Sequence, residues 1–266
     1  MKVYVIPPLN NLEMANYHKH NNIFALAHLC LEEYNKDNES YKDWIKQCKK
    51  KGYFVTLDNG AAEHSSVSMQ QLVQLCLELS PSEVVAPDFL FNRESTIRKT
   101  EKFIKYIRKF KQLDDMKIMA VAQGSNPSEY FNCYTNFLLN ETIDTIGISK
   151  LATPRCFKQI TDSNSVSVNR RYVIKTLERS DMILKPLHLL GMRNITEYKV
   201  YNNPLIRSTD SCYTILSAIM GYKLDDTVRD DILETPEQYF KHKLNKKEKE
   251  LAKKNIDTFI SMLDQH

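Results

Sequence analysis

Four short apolar runs each end in a side chain that can accept a proton or a hydrogen bond. Val55-Thr56-Leu57 leads to Asp58-Asn59-Gly60, and Val84-Val85-Ala86-Pro87 leads to Asp88. Met119-Ala120-Val121-Ala122 leads to Gln123-Gly124, and Ile206-Arg207-Ser208-Thr209 leads to Asp210. A helical pattern follows from Tyr213 to Met220. An acidic residue where a strand passes into a helix is the usual place for a catalytic group in an α/β barrel. Asp is also a favoured N-cap, so for any one of these residues both roles stay open. As a set they point to one pocket, with Asp210 as its reactive centre.

The chemistry of such a set is specific. A guanine edge offers adjacent N–H donors and one carbonyl acceptor. A carboxylate accepts from both donors, and an amide or backbone N–H serves the carbonyl. Asp88 and Gln123 with the Gly147 backbone meet that demand. Two further carboxylates, Asp58 and Asp210, suit displacement at a sugar carbon, one as nucleophile and one moving the proton. Paired carboxylates flanking an oxocarbenium-like transition state are the logic of glycoside chemistry. Gly60, Gly124, Gly147 and Gly191 stand beside these groups, where a missing Cβ lets backbone N–H groups approach a ligand.

The elements that must position these groups alternate between strand and helix patterns. Seven strand runs lie near residues 3, 53, 84, 118, 144, 185 and 205. Helical spacing of apolar residues covers 21–34, 40–50, 67–78, 93–111 and 169–180, and Pro127 opens another helix. The Ser- and Asn-rich stretch 161–168 reads as a loop. The alternation indicates a parallel sheet and a TIM-like (β/α)8 barrel. An eighth strand is not legible, so the barrel is either incomplete or irregular in its last strand. The whole chain, 1–266, reads as one domain, with 224–266 a helical, Lys-rich C-terminal extension. An open doubly wound sheet competes, but the Gly-rich dinucleotide turn it favours is absent.

Composition excludes several classes. At 266 residues the chain suits one barrel, which takes about 250. No apolar run approaches the roughly 20 residues of a membrane helix. The run after Met1 is too short for a signal peptide and reads as the first strand, stopped by Pro7-Pro8. The six cysteines show no CxxC or zinc-finger spacing, so no metal is expected, and a reducing, cytoplasmic compartment is. No GxxxxGK[ST] loop is present, against nucleoside-triphosphate chemistry. The net charge of +4 permits a nucleic-acid partner.

The order of motifs resembles the tRNA-guanine transglycosylase superfamily over residues 50–215. Leu57-Asp58-Asn59-Gly60-Ala61 is similar to that family's Asp-Ser-Gly-Gly-Phe segment, whose Asp is a general acid/base. Ala86-Pro87-Asp88 resembles the segment whose Asp reads the base, and Ala122-Gln123-Gly124 the Val-Gln-Gly whose Gln contacts it. Pro186-Leu187-His188-Leu189-Leu190-Gly191 resembles the archaeal His-Leu-Phe-Gly. Thr209-Asp210-Ser211 resembles the Phe-Asp-Ser of the nucleophile. Asn59 and Ala61 depart from the pattern, Ile146-Gly147-Ile148-Ser149 matches the Gly-Gly-Leu-Ala loop only loosely, and the zinc motif is missing.

The resemblance implies an enzyme of the phage-type branch, which exchanges guanine in DNA for a free 7-deazaguanine (preQ0-like) base, in a host cytoplasm if phage-encoded. It implies Asp210 as covalent nucleophile and Asp58 as acid/base. Base binding falls to Asp88, Gln123, Gly124, Gly147, Asn59, Gly60 and His188, with no cofactor. A tRNA-directed transglycosylase and a non-catalytic nucleic-acid-binding barrel are the alternatives. Arg93, Arg98, Lys102 and Lys105 on one helix, and Lys246 and Lys247 in the tail, are candidates for phosphate contact, or else solvated faces. Tyr4, Phe89 and Phe91 read as core residues, with stacking on a base as the other role.

Overall fold

Strand runs without polar alternation must be covered on both faces. The chain achieves this by wrapping eight parallel strands inside a ring of helices. In a computed structural model, every residue is described except 19, 33–34, 37–38, 62–66, 193, 225–234, 237 and 264–266. The strands are β1 (Lys2–Val5), β2 (Asn22–Leu26), β3 (Phe54–Asp58), β4 (Glu83–Val85), β5 (Lys117–Ala122), β6 (Thr145–Ile148), β7 (Leu187–Leu189) and β8 (Ile206–Ser211). Their hydrogen-bonded order is β1-β8-β7-β6-β5-β4-β3-β2, and all pairs are parallel. The two ends of that order lie side by side, and Asn22 Nδ2 donates to the Val3 carbonyl at 2.9 Å. The result is a nearly closed TIM-like (β/α)8 barrel.

The eighth strand corrects the sequence reading. Residues 21–34 do not form one helix: Asn22–Leu26 is the second strand, and helix α1 (Ala27–Leu31) follows without a turn. All five strand residues are buried, so the run lacks the alternation that marks a half-exposed strand. The last strand is present, with one register shift between Ile206 and Ser208 against β7.

The outer helices are α2 (Tyr41–Lys50), α3 (Met69–Leu79), α4 (Arg93–Ile107), α5 (Pro127–Leu139), α6 (Ala152–Thr161), α7 (Val166–Arg179), α8 (Tyr213–Ile219) and α9 (Lys246–Leu263). Their starts follow capping chemistry. Asn92 and Asn126 accept from the N–H groups of Ser95 and Glu129, and Pro127 occupies the first turn of α5. Helix α7 begins inside the stretch expected as a loop, where Ser165 caps it. Among the described residues of the tail, α9 and a 3-10 turn at Tyr239–Lys241 are helical; residues 225–234, 237 and 264–266 of the expected helical extension lie outside the described residues.

The barrel interior contains an ion pair. Glu83 of β4 and Arg207 of β8 come from opposite sides of the ring and meet through two hydrogen bonds of 2.9 and 2.7 Å. Thr145 and Thr56 donate to the same carboxylate at 2.7 and 3.2 Å. Burial pushes the Glu83 carboxyl up, but the Arg207 guanidinium and Thr145 outweigh it and hold it below the usual carboxylate range. A carboxyl lowered on folding stabilises at neutral pH, and that contribution disappears as pH falls through its folded value.

Removing Arg207 strands a buried charge. Arg207→Met is expected to lower unfolding free energy by about 3–5 kcal/mol in urea titrations at neutral pH. Glu83→Gln combined with Arg207→Met should lose less than the single change. A double variant as unstable as the single one would show that packing, not the orphaned carboxylate, sets the cost.

Candidate active site

The carboxyl ends of the strands surround a pocket enclosing about 520 Å³, part of it open to solvent. Asp58 is the last residue of β3, Asp210 the fifth of the six in β8, and Gln123 follows β5 directly. Asp88 lies just beyond β4. All four line the pocket, with Asn59 and Gly191. Strand geometry therefore brings the four groups together from separate parts of the sequence.

One wall is a clamped carboxylate. Asp88 accepts from Asn59 Nδ2 at 2.9 Å and from Gln123 Nε2 at 2.6 Å. Asn59 Nδ2 also donates to the Ala86 carbonyl at 2.8 Å, so its donors are spent within the protein. Gln123 is oriented in turn, because its Oε1 accepts from the Phe91 N–H at 3.2 Å. Burial raises the Asp88 carboxyl above its ordinary value, more than the Asn59 and Gln123 donors lower it. Each Asp88 oxygen accepts one of these bonds, and a carboxylate offers about four lone-pair sites. Asp88 is thus a desolvated acceptor with capacity for two further donors.

The opposite wall holds Asp210. Its Oδ1 accepts from His188 Nε2 at 3.0 Å and from the Gly191 N–H at 2.9 Å. No other protein donor among the described residues reaches Oδ2. Burial pushes the carboxyl up, but His188, then the Gly191 N–H and the Lys150 charge, more than offset it, so Asp210 lies below the usual range. His188 Nδ1 meets Ser208 Oγ at 2.8 Å, and Ser208 Oγ accepts from Arg207 Nε at 3.2 Å. A carboxylate only accepts, so His188 Nε2 is the donor in its bond to Asp210. The Asp210 carboxylate is therefore coupled, through Ser208 and His188, to the ion pair inside the barrel.

The Leu190-Gly191 turn is itself anchored. Gly191 takes φ of 65°, a left-handed conformation natural to glycine, and a Cβ there would lie 2.3 Å from Lys150 Cδ. Arg170 of α7, fully buried, donates to the Leu190 carbonyl at 2.7 Å and to both oxygens of Glu197 at 2.6 and 2.7 Å. Tyr201 donates to Glu197 at 2.7 Å. A second buried ion pair thus fixes the turn that supplies Asp210 with an N–H.

Asp58 is 8% exposed and accepts from the Gly60 N–H at 2.9 Å, where Gly60 has φ of 76°. The other expected base-binding residues sit differently. His188 is wholly buried and does not line the pocket; it holds Asp210 and lies flat against Phe24, with ring centroids 5.3 Å apart. Gly124 also lies off the pocket. A Cβ there would come within 2.5 Å of the Tyr130 backbone N, so this glycine admits helix α5 against the barrel rather than a ligand. A Cβ on Gly147 would press on Val121 and Leu190, two pocket residues, at 3.0 and 3.1 Å.

The basic residues spread away from the pocket. From Arg93 to Lys105, α4 runs about 18 Å at 1.5 Å per residue, which carries Arg98, Lys102 and Lys105 progressively down the outer flank. Lys246 and Lys247 are exposed at the start of α9. Tyr4 is buried, but Phe89 and Phe91 are exposed, against the reading of all three as core. Sequence reasoning also missed Lys150 and Phe24, which line the pocket. The strand-end rule that selected Asp88 would have selected Lys150, two residues past β6. Phe24 was hidden because its strand was read as a helix.

Among the described residues, no three His, Cys, Asp or Glu side chains gather as metal ligands. No disulfide joins the six cysteines, and burial pushes the Cys212 thiol, near Asp210 in sequence, above its ordinary value. Compared with models of known protein families and with curated proteins, the chain matches none.

Because folding lowers the Asp210 carboxyl, its ionised form stabilises the protein above the ordinary carboxylate pKa of about 3.9, and the effect fades as pH falls through the folded value. Asp210→Asn should melt below the wild type at pH 7, with the gap closing as pH falls past about 4. A gap independent of pH in calorimetry would refute an ionised, stabilising Asp210.

Proposed function

We propose that the protein is a transglycosylase that exchanges guanine in DNA for a 7-deazaguanine base. The observation that carries this reading is the pairing across one pocket of an ionised Asp210, whose Oδ2 no donor among the described residues reaches, with a desolvated, clamped Asp88. A desolvated carboxylate gains most from paired N–H donors, which a guanine edge presents. The spare N–H of the Gln123 amide serves the base carbonyl. Asp58 and Asp210 remain for the sugar.

The steps balance without a cofactor. Asp210 Oδ2 bonds to C1′ as the C1′–N9 bond breaks, and that electron pair leaves with guanine, which takes a proton from Asp58. The incoming 7-deazaguanine loses a proton to Asp58 as its nitrogen bonds to C1′ and releases Asp210. The hydrogen bonds at Oδ1 orient the carboxylate and leave the attacking oxygen unencumbered. The target nucleotide must leave the duplex stack to reach the pocket.

Three measurements test this. Nucleoside mass spectrometry of DNA and tRNA, from cells expressing the protein and supplied with 7-deazaguanine, should show the modified nucleoside in DNA; modification of tRNA alone would reassign the substrate. Asp210→Asn should abolish both exchange and the covalent adduct on denaturing gels, whereas Asp58→Asn should slow exchange and still allow trapping. An adduct that persists in Asp210→Asn and vanishes in Asp58→Asn would reverse the two roles. Asp88→Ala should weaken free-base binding by about 1–3 kcal/mol in calorimetry, and unchanged affinity would remove Asp88 from recognition.

A further inference from the structure

The loop between β4 and α4 forms one side of the pocket and also faces outward. Asp88 and Leu90 line the pocket, whereas Phe89 and Phe91, the residues between and after them, are 50% and 36% exposed. Large aromatic rings on a surface lose the burial that normally justifies them.

Hydrogen bonds hold the loop in this posture. The Phe89 N–H donates to Thr96 Oγ1 at 2.9 Å, and the Thr96 hydroxyl donates back to the Phe89 carbonyl at 3.0 Å. The Phe91 N–H is tied to Gln123. Phe91 has φ of 63°, a conformation unfavourable for a bulky side chain, which persists only where its surroundings over-determine it. The rings are thus held out by the same bonds that orient Gln123 inside the pocket. A cation lies over one ring, Lys99 Nζ being 4.8 Å from the Phe89 ring centroid, and Arg93, paired with Glu94 at 3.1 Å, opens α4 directly after the loop. Further down α4, Arg98, Lys102 and Lys105 outnumber Glu101.

We propose that this loop is a stacking platform for a single nucleic-acid strand. Phe89 and Phe91 receive bases neighbouring the one drawn into the pocket, and Lys99 and Arg93 meet the adjoining phosphates. Aromatic rings interleaved with cations are the combination that binds unstacked bases and their backbone without reading sequence. An apolar protein partner would be served by the rings but not by the Lys99 ammonium held over one of them. The proposal deepens the base-exchange reading and rests on it for the role of the strand, not for binding itself.

The test is equilibrium binding, which requires no exchange. Short fluorescein-labelled single strands of DNA and RNA, and copies containing 2-aminopurine, are titrated with the full chain and followed by anisotropy and 2-aminopurine emission. Wild type should bind and quench 2-aminopurine. Phe89→Ala with Phe91→Ala should weaken binding roughly tenfold or more and abolish the quench, with melting unchanged because the rings are exposed. Phe89→Trp should retain both signals and serves, with Phe89→Ala alone, if the double variant folds poorly. Lys99→Gln should reduce the slope of log affinity against log salt by about 0.7. Equal binding by wild type and the Phe variants overturns the proposal. So does wild type that ignores every strand yet sediments with phosphatidylserine vesicles. A loss of binding in the Phe variants, alongside DNA that never acquires the modified base, upholds the platform and rejects base exchange.

Discussion

The barrel is organised around a charge that has no access to bulk water. Glu83 is fully buried, and such a carboxylate persists only with a partner. Its partner, Arg207, stands on the strand opposite. The pair can form only when the sheet has curled far enough to bring β4 and β8 face to face. Once formed, it sets the orientation of Arg207, whose Nε then donates to Ser208. Ser208 fixes the His188 ring, and His188 fixes Asp210. The geometry of the Asp210 carboxylate is thus linked, through three side chains, to the closure of the barrel.

Two of the three pocket carboxylates, Asp88 and Asp210, differ because their neighbours differ. Both are nearly buried, so desolvation acts on each in the same sense. Asp210 has an imidazole N–H, a backbone N–H and the Lys150 charge, and burial loses. Asp88 has two neutral amide donors and the Lys99 charge, and burial wins. Pairs of titratable groups pushed apart in this way are what acid/base and recognition chemistry require of one site. The separation is built by ordinary means: a strand end here, a glycine turn there, and an amide clamp between two neighbouring strands.

Local pattern revealed the parts of the molecule that depend on local pattern. Seven strands, most helix positions and the strand-end groups Asp58, Asp88, Gln123 and Asp210 follow from runs of residue type. What escaped depends on contacts distant in sequence or on burial without periodicity. β2 carries five buried residues and abuts α1, so neither alternation nor turn residues announce it. The Glu83–Arg207 pair joins residues 124 apart, beyond any window of reading. Gly124 reads as a place for a ligand, whereas close approach of α5 is the physical demand on it. Phe89 and Phe91 read as core because apolar residues usually are, and only the hydrogen bonds of their loop reveal that they are held outward.

The register of β1 has a consequence for how the protein is made. Lys2 pairs with Ser208 and Tyr4 with Asp210, so the first strand of the barrel finds its ladder partner in the last. On the ribosome, β2 to β7 can assemble in order as each emerges, and Asn22 of β2 can meet Val3, but the ladder bonds of β1 must wait for β8. Such distant pairing slows folding, because the loop entropy is spent before the contact rewards it. Asp210 lies on that final strand. A nascent or truncated chain therefore lacks Asp210 and the closed wall together, and the pocket is completed in the same step as the barrel.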